Sequence, residues 1–182
     1  MAFDSFIHIS KRAPPPNRIL DHKFRDNRWQ YGLQCLMATL SIFAVLTVLD
    51  AVTQTVLVAS LGASSFIAFT MPHVESARPR YLVGGYVIGT IAGCGMSLAG
   101  AGVAASGVID GNSLPLAFAA LATGIAIFLM VITNTEHPPA AALALGFALN
   151  EWNITTIAVV FIGIVAISAI KEVGKSNMMD LL

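Results

Sequence analysis

The chain has 182 residues, of which 56% are hydrophobic and only 11% charged, with ten basic and ten acidic residues and a mean hydropathy of +0.77. A soluble domain usually carries about 25% charged residues, so this composition argues against a soluble protein and indicates a membrane protein. It also argues against nucleic-acid binding, which needs a basic stripe on the folded body, because only four basic residues follow residue 28.

The first 28 residues form a polar lead that contains six of the ten basic residues. This lead is too long for a typical cleavable signal peptide, and its aspartates and sparse serines do not fit a transit peptide. The run Pro14-Pro15-Pro16 should break any helix there. We therefore predict a cytoplasmic or interfacial tail over residues 1–28 and a transmembrane helical domain over residues 29–175.

Apolar runs recur along the rest of the chain at lengths close to the 20 or so helical residues that a bilayer requires. The predicted segments are residues 31–49, 53–71, 81–105, 115–132, 138–149 and 154–170. The small and polar residues at 62–65 interrupt the second segment. Two prolines open the fifth segment, which would be only about 18 Å long. The predicted fold is an all-α membrane protein with about six segments, two of them short or interrupted.

The six segments divide into two sets of three, each with a short or interrupted middle segment. Because three is odd, the two sets would run in opposite orientations, as in an inverted 3+3 repeat with a transport site near the midplane. Six crossings also place every Lys and Arg on one side. The positive-inside rule then favours an inner-membrane protein with cytoplasmic N- and C-termini. A re-entrant proline segment is the alternative, and it would put Lys171 and Lys175 outside.

The stretch of residues 133–138 places polar side chains directly ahead of two prolines, which end one helix and can open the next. A helix beginning near residue 138 and another beginning at 63–65 would point free N–H groups and positive dipole ends at each other. Such an arrangement predicts an anion site. The predicted substrate-binding residues are Gly62, Ala63, Ser64, Ser65, Thr133, Asn134, Thr135, His137 and Pro138.

The charged and ionisable side chains near this stretch can each have either a functional or a structural role. Glu136 and His137 are candidates for proton coupling, because ionisable residues within membrane segments are usually functional. They could instead be a helix-capping carboxylate and a hydrogen-bonded imidazole. Arg78 and Arg80 are either topology anchors or a collar that draws anions to the cytoplasmic mouth. No ligand spacing supports a metal site, and we expect no cofactor.

Small residues in the third segment predict close helix packing. Gly85, Gly89 and Gly93 are spaced by four, which places them on one helix face where another backbone can approach. The partner could be a helix of the same chain or of a second copy in a homo-oligomer. Cys35 and Cys94 fall inside apolar runs, so we expect buried free thiols and not a disulfide.

The run Thr135-Glu136-His137-Pro138-Pro139-Ala140-Ala141-Ala142 resembles the signature of the HPP family of integral membrane proteins. A second block of the chain is also similar to that family: Gly62-Ala63-Ser64, Pro72, Ala77-Arg78-Pro79-Arg80 and Gly84-Gly85. The family is usually described with about four spanning helices, fewer than the six predicted here. One plastid branch is associated with nitrite transport, and bacterial members are generally described as transporters. The resemblance therefore implies nitrite as the first candidate substrate.

The sequence thus predicts a membrane transporter or channel for a small inorganic monoanion, with nitrite first and nitrate next, and not an enzyme. A structural or sensory membrane module without transport is one alternative. An intramembrane enzyme is another, and it would need Ser64 or Ser65 as nucleophile with His137 as base.

Overall fold

The computed structural model describes residues 26–49, 55–106 and 113–181, and within those ranges it contains helices and turns but no strand. The α-helices named in these ranges are α1 (Arg28–Leu49), α2 (Thr55–Thr70), α3 (Pro79–Ala105), α4 (Ser113–Thr133), α5 (Pro138–Leu149) and α6 (Ile154–Gly174), with 3₁₀ turns at Glu75–Ala77 and Lys175–Asn177. The predicted all-α fold with six segments is confirmed. Most of the predicted tail, and most of the connection between the predicted segments 81–105 and 115–132, lie outside the described residues.

Helix length separates the spanning helices from the shorter ones. Three helices in the described part are long and apolar enough to cross a membrane: Pro79–Ala105, Leu114–Thr133 and Ile154–Asn177. Two further apolar helices, Val56–Thr70 and Pro138–Leu149, are shorter. These two are the middle members of each set of three, as the sequence predicts. Helix α5 has 12 residues and is therefore about 18 Å long.

Helix α2 runs unbroken across residues 62–65, so the predicted interruption there is wrong. Of the four residues in this run, Gly62 and Ala63 are exposed, whereas Ser64 and Ser65 are buried. The Ser64 hydroxyl lies 3.0 Å from the carbonyl oxygen of Ser60, one turn earlier on the same helix. The helix keeps its own backbone hydrogen bonds through this run, so a small polar run need not end a membrane helix.

The glycine face of α3 packs against α5 of the same chain. A Cβ atom added at Gly93 would lie only 2.7 Å from the carbonyl oxygen of Ala144, and one added at Gly89 would overlap the carbonyl oxygen of Ala140. The predicted close helix approach is therefore confirmed, and its partner is intramolecular. A homo-oligomer through α3 remains a prediction, and it would need the other side of the helix, where Gly95 and Gly102 are exposed.

Helix contacts repeat between the two sets of three. If α1, α2 and α3 are exchanged for α4, α5 and α6, each contact between helices corresponds to a contact that the structure also shows. The α3–α5 contact corresponds to α2–α6, the α3–α4 contact to α1–α6, and the α4–α5 contact to α1–α2. The α2–α5 and α3–α6 contacts map onto themselves. This exchange symmetry is what a 3+3 repeat predicts, and it places the two short helices in contact at the centre.

The two cysteines are free thiols. Cys94 is half-buried, as an apolar run suggests, but the prediction of a buried thiol is wrong for Cys35, which is exposed. Cys35 lies on a flank of α1 that also exposes Leu36 and Leu40. An apolar run in a membrane helix does not distinguish residues that face lipid from residues that face protein, which explains the error.

Candidate functional site

His137 is the N-cap residue of α5, and its side chain is fully buried. Its ring atom Nδ1 lies 3.1 Å from the carbonyl oxygen of Ser76. Because a carbonyl oxygen only accepts, Nδ1 carries the hydrogen in the neutral ring and Nε2 is left as an acceptor. A Cβ at Gly85 would lie 2.7 Å from the His137 Cβ, so the glycine face of α3 makes the space that this residue occupies.

Ser64 and Tyr86 complete a buried cluster around the His137 ring. The Ser64 Oγ lies 2.8 Å from His137 Nε2 and 2.8 Å from the Tyr86 hydroxyl. The Tyr86 hydroxyl also lies 3.3 Å from the Ser60 Oγ. With Nε2 as acceptor, Ser64 donates to His137 and Tyr86 can donate to Ser64. We call Ser60, Ser64, Tyr86 and His137 the polar cluster. It joins α2, α3 and the start of α5, and all four side chains are almost completely buried.

Two further hydroxyl groups close to this cluster in sequence lack a hydrogen-bond partner among the described residues. The Ser65 Oγ and the Thr90 Oγ1 are buried and make no hydrogen bond within the described part of the chain. Thr90 follows Tyr86 by one turn of α3, and Ser65 is adjacent to Ser64 in α2. A buried polar group without a partner lowers the free energy of unfolding by roughly 1–3 kcal/mol. The two hydroxyls are therefore hydrogen-bond donors that the described part of the bundle leaves unused.

The residues just before His137 close the C-terminal end of α4. Asn134 has a φ of 53°, and its N–H donates to the Val131 carbonyl at 3.3 Å, while the Thr135 N–H donates to the Met130 carbonyl at 3.0 Å. These two bonds form a Schellman motif with asparagine at the left-handed position. The Asn134 Oδ1 accepts a hydrogen bond from the Tyr81 hydroxyl at 3.2 Å. Asn134 therefore has a capping role in this structure.

A substitution series at Asn134 tests this cap. We expect Asn134→Ala to lower the free energy of unfolding by about 1–2 kcal/mol, because alanine is disfavoured in the left-handed region. Asn134→Gly should recover most of that loss, since glycine adopts positive φ freely. Both variants lose the bond from Tyr81, so their difference isolates the backbone contribution. Thermal unfolding in detergent measures it, and a glycine variant no more stable than the alanine variant would refute the cap.

Thr133 and Thr135 pair with each other, since their hydroxyl oxygens are 2.8 Å apart. Thr135 is buried, whereas Thr133 is exposed. Arg80 is exposed and donates from Nη2 to the Thr133 carbonyl oxygen at 3.0 Å, where a cation complements the negative end of the α4 dipole. Arg78 is exposed just before α3. Neither arginine belongs to the polar cluster, and their role at a cytoplasmic mouth stays a prediction.

Glu136 and His137 are neighbours in sequence that the structure separates. The Glu136 side chain is exposed, whereas the His137 ring is buried and bonded through both nitrogens to other residues. The structure therefore does not bring the two together as a proton-coupling pair. Gly62 and Ala63 also lie away from His137, on the exposed side of α2.

The start of α5 offers few free amides. Pro138 and Pro139 occupy its first two positions and have no N–H, and the Ala140 N–H donates to the His137 carbonyl at 2.8 Å. Since α2 has no helix start at residues 63–65 either, the expectation of two converging helix N-termini is wrong. The prolines that define the helix start also remove the donors that an amide-based anion site would need.

Residues that sequence reasoning missed supply part of the cluster. Tyr86 and Thr90 directly follow Gly85 and Gly89, so the spacing of four that marks the glycine face also marks an adjacent polar row on α3. Ser60 and Ser64 have the same spacing on α2, a signal available in the sequence. The contribution of the Ser76 carbonyl has no sequence signal, because it depends on the path of the backbone.

The bundle of apolar helices around a buried polar cluster defines an α-helical membrane protein that crosses the bilayer more than once. The chain belongs to the HPP family, because the family's transmembrane region matches residues 24–176. A transmembrane protein of Dictyostelium discoideum is 35% identical over 97 residues, which cover 53% of this chain and 31% of that relative. The match thus takes in less than a third of the relative's length. No solved structure matches the chain.

Proposed function

We propose that this protein is a membrane transporter or channel for a small inorganic monoanion, with nitrite as the first substrate and nitrate as the next. The observation that carries the proposal is the polar cluster, a set of buried hydroxyl and imidazole groups in an otherwise apolar bundle. Polar groups at membrane depth are costly and usually mark a pathway. The hydroxyl donors carry no formal charge, which suits a site that must release its ion as well as bind it.

The anion ligands in this proposal are side-chain donors, which replace the helix amides that the sequence suggested. Ser64 and Tyr86 supply two hydroxyls once their hydrogens turn from the cluster to the anion. The Ser65 and Thr90 hydroxyls, which have no hydrogen-bond partner in the described part of the chain, can supply two more. Membership of the HPP family supports a role in transport. Nitrite is small and needs only a few hydrogen-bond donors, which agrees with the few hydroxyl groups at the polar cluster.

His137 gives the proposed site a proton dependence. In its neutral form Nε2 is an acceptor whose lone pair faces the Ser64 oxygen, and it would repel an anion. Proton uptake turns Nε2 into a cationic donor that attracts one. We therefore propose that one proton binds at His137 with each anion, and that Glu136, which is exposed, is not required for this step.

Flux measurements in proteoliposomes test the proposal. We expect nitrite uptake above that of protein-free liposomes, a smaller uptake of nitrate, and faster nitrite uptake when the external pH is lower than the internal pH. The protonated form of nitrite crosses lipid unaided, so protein-free liposomes under the same gradient are the essential control. A rate equal to that control for both anions would contradict the proposed function.

An intramembrane enzyme is the second candidate, because one specific distance favours it. Ser64 Oγ and His137 Nε2 are 2.8 Å apart, and the Ser76 carbonyl orients the ring, which is the arrangement of a nucleophile and its base. We propose transport without catalysis, since both side chains are fully buried and Ser64 also contacts Tyr86. Labelling of Ser64 by a fluorophosphonate, absent in Ser64→Ala, would favour the enzyme. Absence of both labelling and flux would favour a structural or sensory module.

We also propose an inner-membrane location with cytoplasmic N- and C-termini. The distribution of basic residues supports this orientation, although Lys171 contributes less than the sequence suggests because it is fully buried against Glu172. Lys175 belongs to the 3₁₀ turn that follows α6. Reaction of a Lys175→Cys variant with a reagent confined to the external side would contradict this orientation.

A further inference from the structure

Residues 178–181 follow the 3₁₀ turn after α6 and lie along α1 and the end of α2. The Tyr31 hydroxyl donates to the Leu181 carbonyl at 2.7 Å, and the Gln34 Nε2 donates to the Met179 carbonyl at 2.8 Å. The Leu181 N–H donates to the carbonyl of Thr70, the last residue of α2, at 2.8 Å. The Met178 and Leu181 side chains are buried. We call this segment, residues 178–181, the latch.

The latch also holds the loop between α2 and α3. The His73 backbone N–H donates to the Asp180 Oδ1 at 3.0 Å, and the His73 ring Nδ1 lies 3.4 Å from the same oxygen. Three residues further along the loop, the Ser76 carbonyl oxygen accepts from His137 Nδ1. The loop therefore connects the latch to the polar cluster through one hydrogen bond at His73, the backbone from His73 to Ser76, and one hydrogen bond at Ser76.

This connection has a direct consequence for the cluster. Ser64, Tyr86 and His137 are fully buried while the latch and the loop are in place, so the structure is that of an occluded site. The 71–78 segment contains a three-residue 3₁₀ turn and a backbone bond from the Val74 N–H to the Met71 carbonyl, and the bonds to Asp180 and His137 tie it to the rest of the bundle. Release of the latch would free the loop and the Ser76 carbonyl that orients the imidazole.

We propose that the latch is a gate: when residues 178–181 are docked, the polar cluster is closed to the solution on the side of the 71–78 loop, and undocking admits the anion. The admission of an anion rests on the proposed function. The opening and closing of the polar cluster by residues 178–181 is inferred from the contacts of the fold and does not depend on what is transported. Undocking breaks a few hydrogen bonds and exposes the Met178 and Leu181 side chains, and both costs fall on this segment, so it can open without unfolding the helices.

A reversible cross-link tests the gate. In a chain carrying Cys35→Ser and Cys94→Ser, the pair Thr70→Cys and Leu181→Cys should form a disulfide, because the backbones of these residues already bond at 2.8 Å. With the latch locked in this way, we expect nitrite flux in proteoliposomes to fall at least tenfold and to recover when a reductant is added. Equal flux in the locked and reduced forms would overturn the proposal.

A second measurement does not depend on transport. Hydrogen–deuterium exchange at the Cε1–H of His137, followed by mass spectrometry, reports the access of water to the ring. We expect the double variant Tyr31→Phe with Asp180→Ala to speed this exchange roughly tenfold, since it removes two hydrogen bonds of the latch. Thr39→Val is the matched control, because its hydroxyl donates within α1 at 2.9 Å and away from the latch.

The two measurements separate the gate from the transport function. If the unmodified protein shows no flux but His137 exchange rises in the double variant, the proposed function fails and the gate stands. If exchange at His137 is unchanged while proteolysis shows that residues 178–181 have been released, the gate is refuted whatever the flux.

Discussion

Gly89→Leu should prevent the bundle from assembling. Even a Cβ at this position would overlap the carbonyl oxygen of Ala140 in α5, and a backbone atom cannot move aside as a flexible side chain can. Without close packing of α3 on α5, the polar cluster loses the space in which His137 lies. We expect the variant to aggregate or elute as a broad peak in detergent size-exclusion chromatography.

Gly95→Ala on the same helix is the matched control. No atom lies within 4 Å of a Cβ at Gly95, and alanine favours a helix over glycine by about 1 kcal/mol. This variant should be as stable as the unmodified protein or slightly more so. Gly89→Ala should lie between the two, with a loss of about 1–3 kcal/mol from overpacking. A Gly89→Leu protein with normal elution and unfolding temperature would show that α3 and α5 are less tightly packed than described.

Ser64→Ala should lower anion flux roughly 10- to 100-fold at limiting substrate concentration. A hydrogen bond to an ion contributes about 1.5–3 kcal/mol, and each 1.4 kcal/mol changes affinity tenfold. The Ser64 hydroxyl hydrogen-bonds to both Tyr86 and His137, so its loss removes the polar link between them, although their rings stay in contact with centroids 5.9 Å apart. His137→Ala should reduce flux and, in addition, remove the acceleration by a proton gradient. Concentration-dependent nitrite uptake in proteoliposomes measures both effects.

Ser41→Ala controls for the loss of a buried hydroxyl in a membrane helix. Ser41 is buried in α1 and donates to the Met37 carbonyl at 2.7 Å, outside the polar cluster. Its replacement should leave uptake unchanged. Full activity in Ser64→Ala and His137→Ala, with the gradient still effective, would exclude the polar cluster as the anion site. An equal loss in Ser41→Ala would indicate a general effect on folding.

Apolar run lengths and the two prolines were sufficient to predict the helices. Membrane helices must satisfy their backbone internally, so hydrophobic length and proline position fix where each begins and ends. The glycine spacing on α3 was equally informative, because only glycine permits the contact that α5 makes. The limits of a helix and the residues that share one of its faces depend on the order of residues along the chain, so the sequence is sufficient to predict them.

The site was harder to predict for physical reasons. The small polar run at residues 62–65 predicts a break, but its serines are buried inside the bundle, and the helix continues. The prolines at 138 and 139 were interpreted as the opening of an amide site, although proline has no amide hydrogen to offer. Which donors converge depends on how helices distant in sequence face each other, as Ser64, Tyr86 and His137 do, and no local pattern encodes this.

Helix α5 is about 18 Å long, and the hydrocarbon core of a bilayer is about 30 Å thick. A short segment facing lipid would cause hydrophobic mismatch, which the membrane relieves by thinning. Here α5 packs against α2, α3 and α4, so much of its surface meets protein and not lipid. Changes in lipid chain length should therefore act on this protein mainly through the tilt of α3, α4 and α6, and the central short helix is insulated from them.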